Sequence, residues 1–165
     1  PDDTMTRAEV CALLAQALDL YWLADGYFTD VAKESWYAPS VNAMAAIGLV
    51  SGVGGGKFDP NATMTQEEFI TVLGNLVEFV NLDARKFLDK NPLAILQPLP
   101  KYNGFSPWAI RSVELLTNSV FDEDGNAVNL YCTAFEDIEP KAPILRGQAA
   151  AALCRALRTT GVIED

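Results

Sequence analysis

Apolar and polar positions along the chain fall into a helical rhythm that starts abruptly at Thr65. Phe69, Val72, Leu73, Leu76, Phe79 and Val80 recur at steps of three and four, the period of an amphipathic helix, and predict one from Thr65 to about Val80. Thr65 suits the N-cap, because its hydroxyl can accept an otherwise orphaned first-turn amide. Glu68 stands three residues on and completes a capping box. Met64 before the cap and Phe69 after it have the spacing of a hydrophobic staple.

The same start occurs at the N-terminus, where Met5, Thr6, Glu9 and Val10 take the roles of Met64, Thr65, Glu68 and Phe69. It predicts a helix from residue 6 to about 20 with a stripe of Val10, Leu13, Leu14, Ala17 and Leu18. A third version, Pro143-Ile144-Leu145-Arg146-Gly147-Gln148, keeps the apolar lead residue and the Gln at the third position. Leu145, however, cannot cap through its side chain. This helix is predicted from about Leu145 to Arg158, with Ala149, Ala152, Leu153, Ala156 and Leu157 inward. Two shorter helices are predicted, 36–47 and 108–117, each opening on a tryptophan. Trp36, Val41, Met44 and Ala45 lie on or near one face of the first, and Gly48 is placed to end it in a left-handed turn. The segment 49–60 is a glycine-rich turn leading back to the cap. Prolines break 81–107, with room for a short turn at 84–88, and 118–142 is a long irregular connection.

Three helix starts of one design indicate internal repeats. The fold class expected is all-α, with a pseudo-threefold arrangement: a central bundle of three capped helices and the tryptophan helices and loops around it. A single domain is expected over 1–165, with a first-repeat remnant at about 1–20, a second repeat at about 21–82, and a third with insertions at about 83–165.

Composition narrows the chemistry. Half of the 165 residues are hydrophobic, enough for a packed core. The net charge of −10 argues against non-specific binding to nucleic acid or anionic membranes. No apolar run is long enough to span a bilayer. No leader is visible, and the start at Pro1 reads as a processed or trimmed end. Histidine is absent, which removes the commonest general base and the usual triads. Cys11, Cys132 and Cys154, odd in number and widely spaced, fit neither a disulfide framework nor a zinc site. The segment 51–58 lacks the glycine and hydroxyl positions of a phosphate loop. The acidic run 122–126 has its glycine too early for a calcium loop and reads as a solvated turn. No cofactor is expected, and no catalysis; a glycan hydrolase working through paired carboxylates is the weakest of the readings.

Phe28-Thr29-Asp30-Val31, the Trp36 helix, the Gly48-Leu49-Val50-Ser51-Gly52 turn, Phe58-Asp59-Pro60 and the capped start, together with Thr6-Arg7-Ala8-Glu9, resemble the S-layer homology family. Residues 28–73 match the family's order of features nearly end to end. The resemblance implies three repeats and non-covalent attachment to secondary cell-wall polysaccharide, often bearing pyruvate ketals. It also implies an extracellular location at the bacterial surface. The chain departs from the family pattern in lacking the first tryptophan helix, in having Gln66 where arginine is expected, and in the worn third repeat.

Arg7 and Arg146 sit at the first helical position, where a cation opposes the helix dipole. A locally unfavourable choice invites a functional reading: unpaired first-turn amides and a guanidinium together would receive a carboxylate. The alternative for Arg7 is an ion pair with Glu9 or a loop acid. Trp36 and Trp108 can stack on sugars or pack. Gly52 can admit a ligand close to the backbone or serve the turn. Asp30 and Asp137 can accept sugar hydroxyls or cap a loop. The expected glycan-binding set is therefore Arg7, Asp30, Trp36, Gly52, Trp108 and Arg146. The competing expectation is a structural module joining other copies or neighbouring domains.

Overall fold

A computed structural model describes residues 1–20, 26–80, 102, 104–118, 129–131 and 137–162. Among these the regular structure is helical: α1 (Arg7–Ala17), α2 (Ala38–Ala46), α3 (Gln66–Val80), α4 (Ile110–Asn118) and α5 (Arg146–Thr159). The all-α expectation holds. The turn expected at 84–88, the acidic run 122–126, and Cys132, Phe121 and Phe135 lie outside the described residues.

The helices start as their local sequence dictates. Thr6 Oγ1 accepts from the Glu9 amide at 3.2 Å while Glu9 Oε2 accepts from the Thr6 amide at 2.8 Å. Thr65 and Glu68 repeat the exchange at 3.4 and 2.8 Å. At α5 the reciprocal half survives alone, with Gln148 Oε1 accepting from the Leu145 amide at 3.1 Å.

Three of the helices also stop alike. After α1, Asp19 is left-handed (φ 51°) and the Leu20 amide returns to the Ala15 carbonyl at 2.8 Å. Gly48 (φ 76°) does this after α2, with Leu49 bonding back to Met44 at 2.9 Å, and Gly161 (φ 72°) after α5, with Val162 bonding back to Leu157 at 2.9 Å. This is the Schellman closure, which satisfies carbonyls the helix leaves open.

The chain forms two compact units, one of Asp3–Met64 and one of Pro1–Asp2 with Thr65–Asp165. In the first, α1 packs on α2. Ala8, Val10, Cys11, Leu14 and Ala15 are buried with Val41, Met44, Leu49 and Phe58. Ala17, expected inside, is exposed, because the chain turns away at Leu18. In the second unit α3 packs on α4 and α5. Phe69, Ile70, Leu73, Leu76 and Val77 are buried, as are the five residues expected on α5. Phe79 is 52% exposed, against expectation.

Glu67, on the first turn of α3, ties two loops to that unit. Its carboxylate is 3% exposed and accepts from the Ser106 amide at 2.8 Å, from Ser106 Oγ at 3.0 Å and from Lys141 Nζ. An acidic group at a helix start is also favoured by the dipole.

Candidate functional site

The first amides of α1 are fully engaged. Arg7 N–H donates to the Ala62 carbonyl and Ala8 N–H to the Pro60 carbonyl, each at 3.0 Å, while Glu9 N–H goes to the cap. At α3, Gln66 N–H donates to Ala142 at 2.9 Å and Glu67 N–H to Pro140 at 3.1 Å, and Glu68 N–H goes to its cap. The Gly147 amide of α5 donates to the Pro1 carbonyl at 2.9 Å. The expectation that helix starts offer unpaired amides to an anion is therefore corrected for α1 and α3. The Pro-x-Ala loops have already taken them. Any anion recognition there falls to side chains.

Arg7 is the principal one. Its residue is 7% exposed, and Nε donates to the Phe58 carbonyl at 2.8 Å and Nη2 to the Ser51 carbonyl at 2.9 Å. The guanidinium carbon lies 4.6 Å from the centre of the Phe58 ring. Two backbone dipoles and a ring face compensate the charge, which is why a cation tolerates this depth.

Asp30 grips the same segment from the other side. Its Oδ1 accepts from the Phe58 amide and Oδ2 from the Asp59 amide, each at 2.8 Å. Burial pushes its carboxyl up, but hydrogen bonds from Phe58, Asp59 and its own amide, with the Lys57 charge, hold it below the usual aspartate value. Asp59 adopts φ 57°, so the clamp holds a left-handed residue in place.

Gly52 completes the turn. A Cβ there would lie 2.4 Å from the Lys57 carbonyl oxygen and 2.8 Å from the Phe28 ring. The absent side chain is filled by the protein's own backbone and by Phe28, whose ring is 5.1 Å from that of Phe58. Arg7, Asp30 and Gly52 thus converge on residues 57–59.

The tryptophans are placed differently from expectation. Trp36 and Trp108 precede α2 and α4 rather than standing within them, and are 67% and 54% exposed. Pro39 falls at the start of α2, and the Ala38 amide closes a turn onto Ser35, which leaves Trp36 outside the helix. Its ring meets Tyr37 edge-on at 5.4 Å. Neither tryptophan is core. Arg146 is exposed at the start of α5 and Asp137 is exposed in the preceding loop.

Gln66 occupies in the C-terminal unit the place that Arg7 has in the other. It is 5% exposed, and its Oε1 accepts from Tyr131 Oη at 3.1 Å and from the Glu139 amide at 3.3 Å. A cavity of about 360 Å³ opens here, lined among others by Gln66, Tyr131, Asp137, Gly147, Gln148 and Arg155. Tyr131 and Arg155 were not foreseen. Nothing in the sequence reading singled out either of them. Among the described residues no cluster of acids and cysteines suits a metal ion, and no helix is long and apolar enough to cross a membrane.

Residues 27–70 match the S-layer homology domain. Over 159 residues, 95% of its length, the chain is 27% identical to a surface-layer 125 kDa protein of Lysinibacillus sphaericus, covering 12% of that protein. It is 30% identical over 88 residues, 50% of its length, to a cell surface protein of Thermoanaerobacter kivui, again covering 12%. It is 30% identical over 101 residues, 57% of its length, to the exoglucanase XynX of Acetivibrio thermocellus, covering 9%. The chain thus spans roughly a tenth of the curated relatives it matches. The similarity to the S-layer homology domain thus lies in residues 27–70, and the relatives include a surface-layer protein and a cell surface protein.

Proposed function

We propose that this module binds a secondary cell-wall polysaccharide non-covalently, and that the recognised group is a carboxylate such as that of a pyruvate ketal. The observation carrying the reading is the Arg7 guanidinium, oriented by the Phe58 and Ser51 carbonyls at 2.8 and 2.9 Å at the start of α1. A planar fork fixed in direction suits a carboxylate better than a mobile ammonium. Trp36, 67% exposed in the same unit, offers a ring face to a sugar. Asp30 and Gly52 act by holding the turn that orients Arg7. Trp108 and Arg146, both exposed, are the corresponding candidates in the C-terminal unit.

Retention on purified wall polymer, with the ketals intact and after mild-acid removal, tests this. The parent chain is expected to be retained only by the ketal-bearing polymer. Arg7→Lys should weaken retention about tenfold, because the charge stays and the fork is lost. Arg146→Ala should have the smaller effect. Equal retention on both polymers would remove the carboxylate from the reading.

A second reading, self-association or docking to neighbouring domains, is favoured by the exposure of Trp36, Trp108 and Phe79 at 67%, 54% and 52%. Light scattering across a concentration series separates the two. A strictly monomeric chain that is retained by polymer leaves only the first.

A further inference from the structure

The starts of α1, α3 and α5 are each closed by a proline-led segment of the same unit. The carbonyl of Pro60 accepts the Ala8 amide at 3.0 Å, that of Pro140 the Glu67 amide at 3.1 Å, and that of Pro1 the Gly147 amide at 2.9 Å. In every case the donor is the second residue of its helix. At α1 and α3 the first residue is held too, by the Ala62 and Ala142 carbonyls. There Thr6 and Thr65 also accept the third amide through their hydroxyls, at 3.2 and 3.4 Å.

The start of α5 is the least self-sufficient of the three. Leu145 has no oxygen with which to accept the Gln148 amide. Glycine at the second position is a poor helix former that leaves the backbone open to water. The core grips the helix from Ala149 onward, where Ala149, Ala152, Leu153, Ala156 and Leu157 are buried. Leu145 to Gln148 are half-buried or exposed. Pro1 meets this turn closely: a Cβ on Gly147 would stand 3.3 Å from both the Cβ and the carbonyl oxygen of Pro1. Ala8 and Glu67 carry a Cβ at the same position, but at Gly147 that space belongs to Pro1. Pro1 and Asp2, both exposed, are part of the C-terminal unit.

We propose that residues 1–2 form a strap whose seating on Gly147 holds the first turn of α5 in helix, and that its release opens the Arg146–Gly147 bond to an arginine-specific protease. A protease draws several residues around the bond into extended form, so a bond inside a helix is cut only after local opening. The amide of this bond is the one that Pro1 holds, and Arg146 is already exposed. Hydrolysis adds water across it, leaving a carboxylate on Arg146 and an amine on Gly147. The cut would part α5 and its buried face from the chain before it, so the strap guards the integrity of the C-terminal unit. The inference does not draw on the wall-polymer reading.

The test is amide exchange of the ¹⁵N-labelled chain, read at three matched amides. Val10, Phe69 and Ala149 each donate the bond that opens their helix, to Thr6, Thr65 and Leu145. All three are expected to be protected in the parent. Pro1→Gly removes the Cβ that meets Gly147 and leaves the sequence of α5 unaltered. It should speed exchange at Ala149 about threefold, with Val10 and Phe69 unchanged. Trypsin cleavage after Arg146, followed by mass, should rise by the same factor. Gly147→Val gives the sharper reading. Valine is the better helix former, so propensity alone would slow Ala149, whereas a branched side chain in the place of Pro1 should speed it about tenfold. Speeding at Ala149 alone supports the strap. An unprotected Ala149 in the parent overturns it, as does an Ala149 unmoved in Pro1→Gly or slowed in Gly147→Val. An equal rise at all three amides also overturns it, because the loosening would then belong to the whole chain. Cleavage after Arg146 that stays at the parent's rate while Ala149 speeds overturns the protease step.

Discussion

The Arg7 guanidinium lies 4.6 Å from the centre of the Phe58 ring, and its Nε donates to the carbonyl of that same residue at 2.8 Å. One residue thus receives both a ring contact and a charge-assisted hydrogen bond from one side chain. Removing Arg7 strands the Phe58 and Ser51 carbonyls and leaves a gap over the ring. Arg7→Ala is expected to lose about 2–4 kcal/mol of unfolding free energy. Arg7→Lys should lose less, since an ammonium can reach one carbonyl but not span two. Urea unfolding of the two variants checks the order. If Arg7→Ala were as stable as the parent, the arginine would have no part in holding the turn.

Asp30 makes the turn sensitive to acid. Its carboxyl is held below the ordinary value by the Phe58 and Asp59 amides, against the opposing effect of burial. A depressed folded pKa adds stability that is complete above the unfolded value, about 3.9, and is lost as pH falls through the folded value. Asp30→Asn should therefore destabilise the chain at neutral pH and flatten the acid limb of its stability curve. Unfolding free energies measured from about pH 7 down to about pH 2 supply the comparison. Parallel curves for parent and variant would rule out this role.

Cys11 and Cys154 should differ sharply in reactivity. Burial raises the Cys11 thiol to about 12, and the nearby Arg7 charge only partly offsets this. Cys154 is exposed on α5. Site-resolved alkylation near about pH 8 should label Cys154 readily and Cys11 only after denaturant is added. The raised value also implies stability that is complete below the unfolded thiol pKa, about 8.5, and lost as pH rises toward the folded value. Labelling of Cys11 in the native chain at the rate of Cys154 would contradict its burial.

What could be read from the residues alone was what is local. The boxes at Thr6 and Thr65 span three residues, and so does the half-box at Leu145, so no tertiary knowledge was needed. Gly48 as a left-handed stop was legible for the same reason. Arg7, Asp30 and Gly52, three of the six residues expected to bind ligand, converge on one turn, where a Cβ on Gly52 would meet Lys57 and Phe28. The tryptophans were drawn into helices by their apolar character, although Pro39 marked the later start of α2. The engaged first-turn amides were missed because their acceptors lie on distant loops. Glu67 drew no reading of its own, because its partners lie 39 and 74 residues away. Arg155 drew no reading at all, because the Tyr131 carbonyl it donates to lies 24 residues away on another segment.

Gly74 is the clearest case of a local preference overruled by packing. Glycine inside a helix costs about 1 kcal/mol relative to alanine. At Gly74 a Cβ would stand 2.5 Å from Ser112 Cβ and 2.6 Å from Ser112 Oγ, so the close approach of α3 to α4 has no room for one. Ser112 is 3% exposed and cannot swing into solvent. Overpacking of this kind costs about 1–3 kcal/mol, which outweighs the gain in helix propensity. Gly74→Ala should therefore destabilise the chain by about 1–2 kcal/mol in urea unfolding. Placed in a Ser112→Gly background, the same change should become neutral, because the two clashing atoms are gone and only Ser112 Cα, 3.1 Å away, stays close. The coupling between the two positions is then expected to reach about 1 kcal/mol or more. Additive effects would mean that the helices separate freely at this point and that the glycine serves something other than their contact.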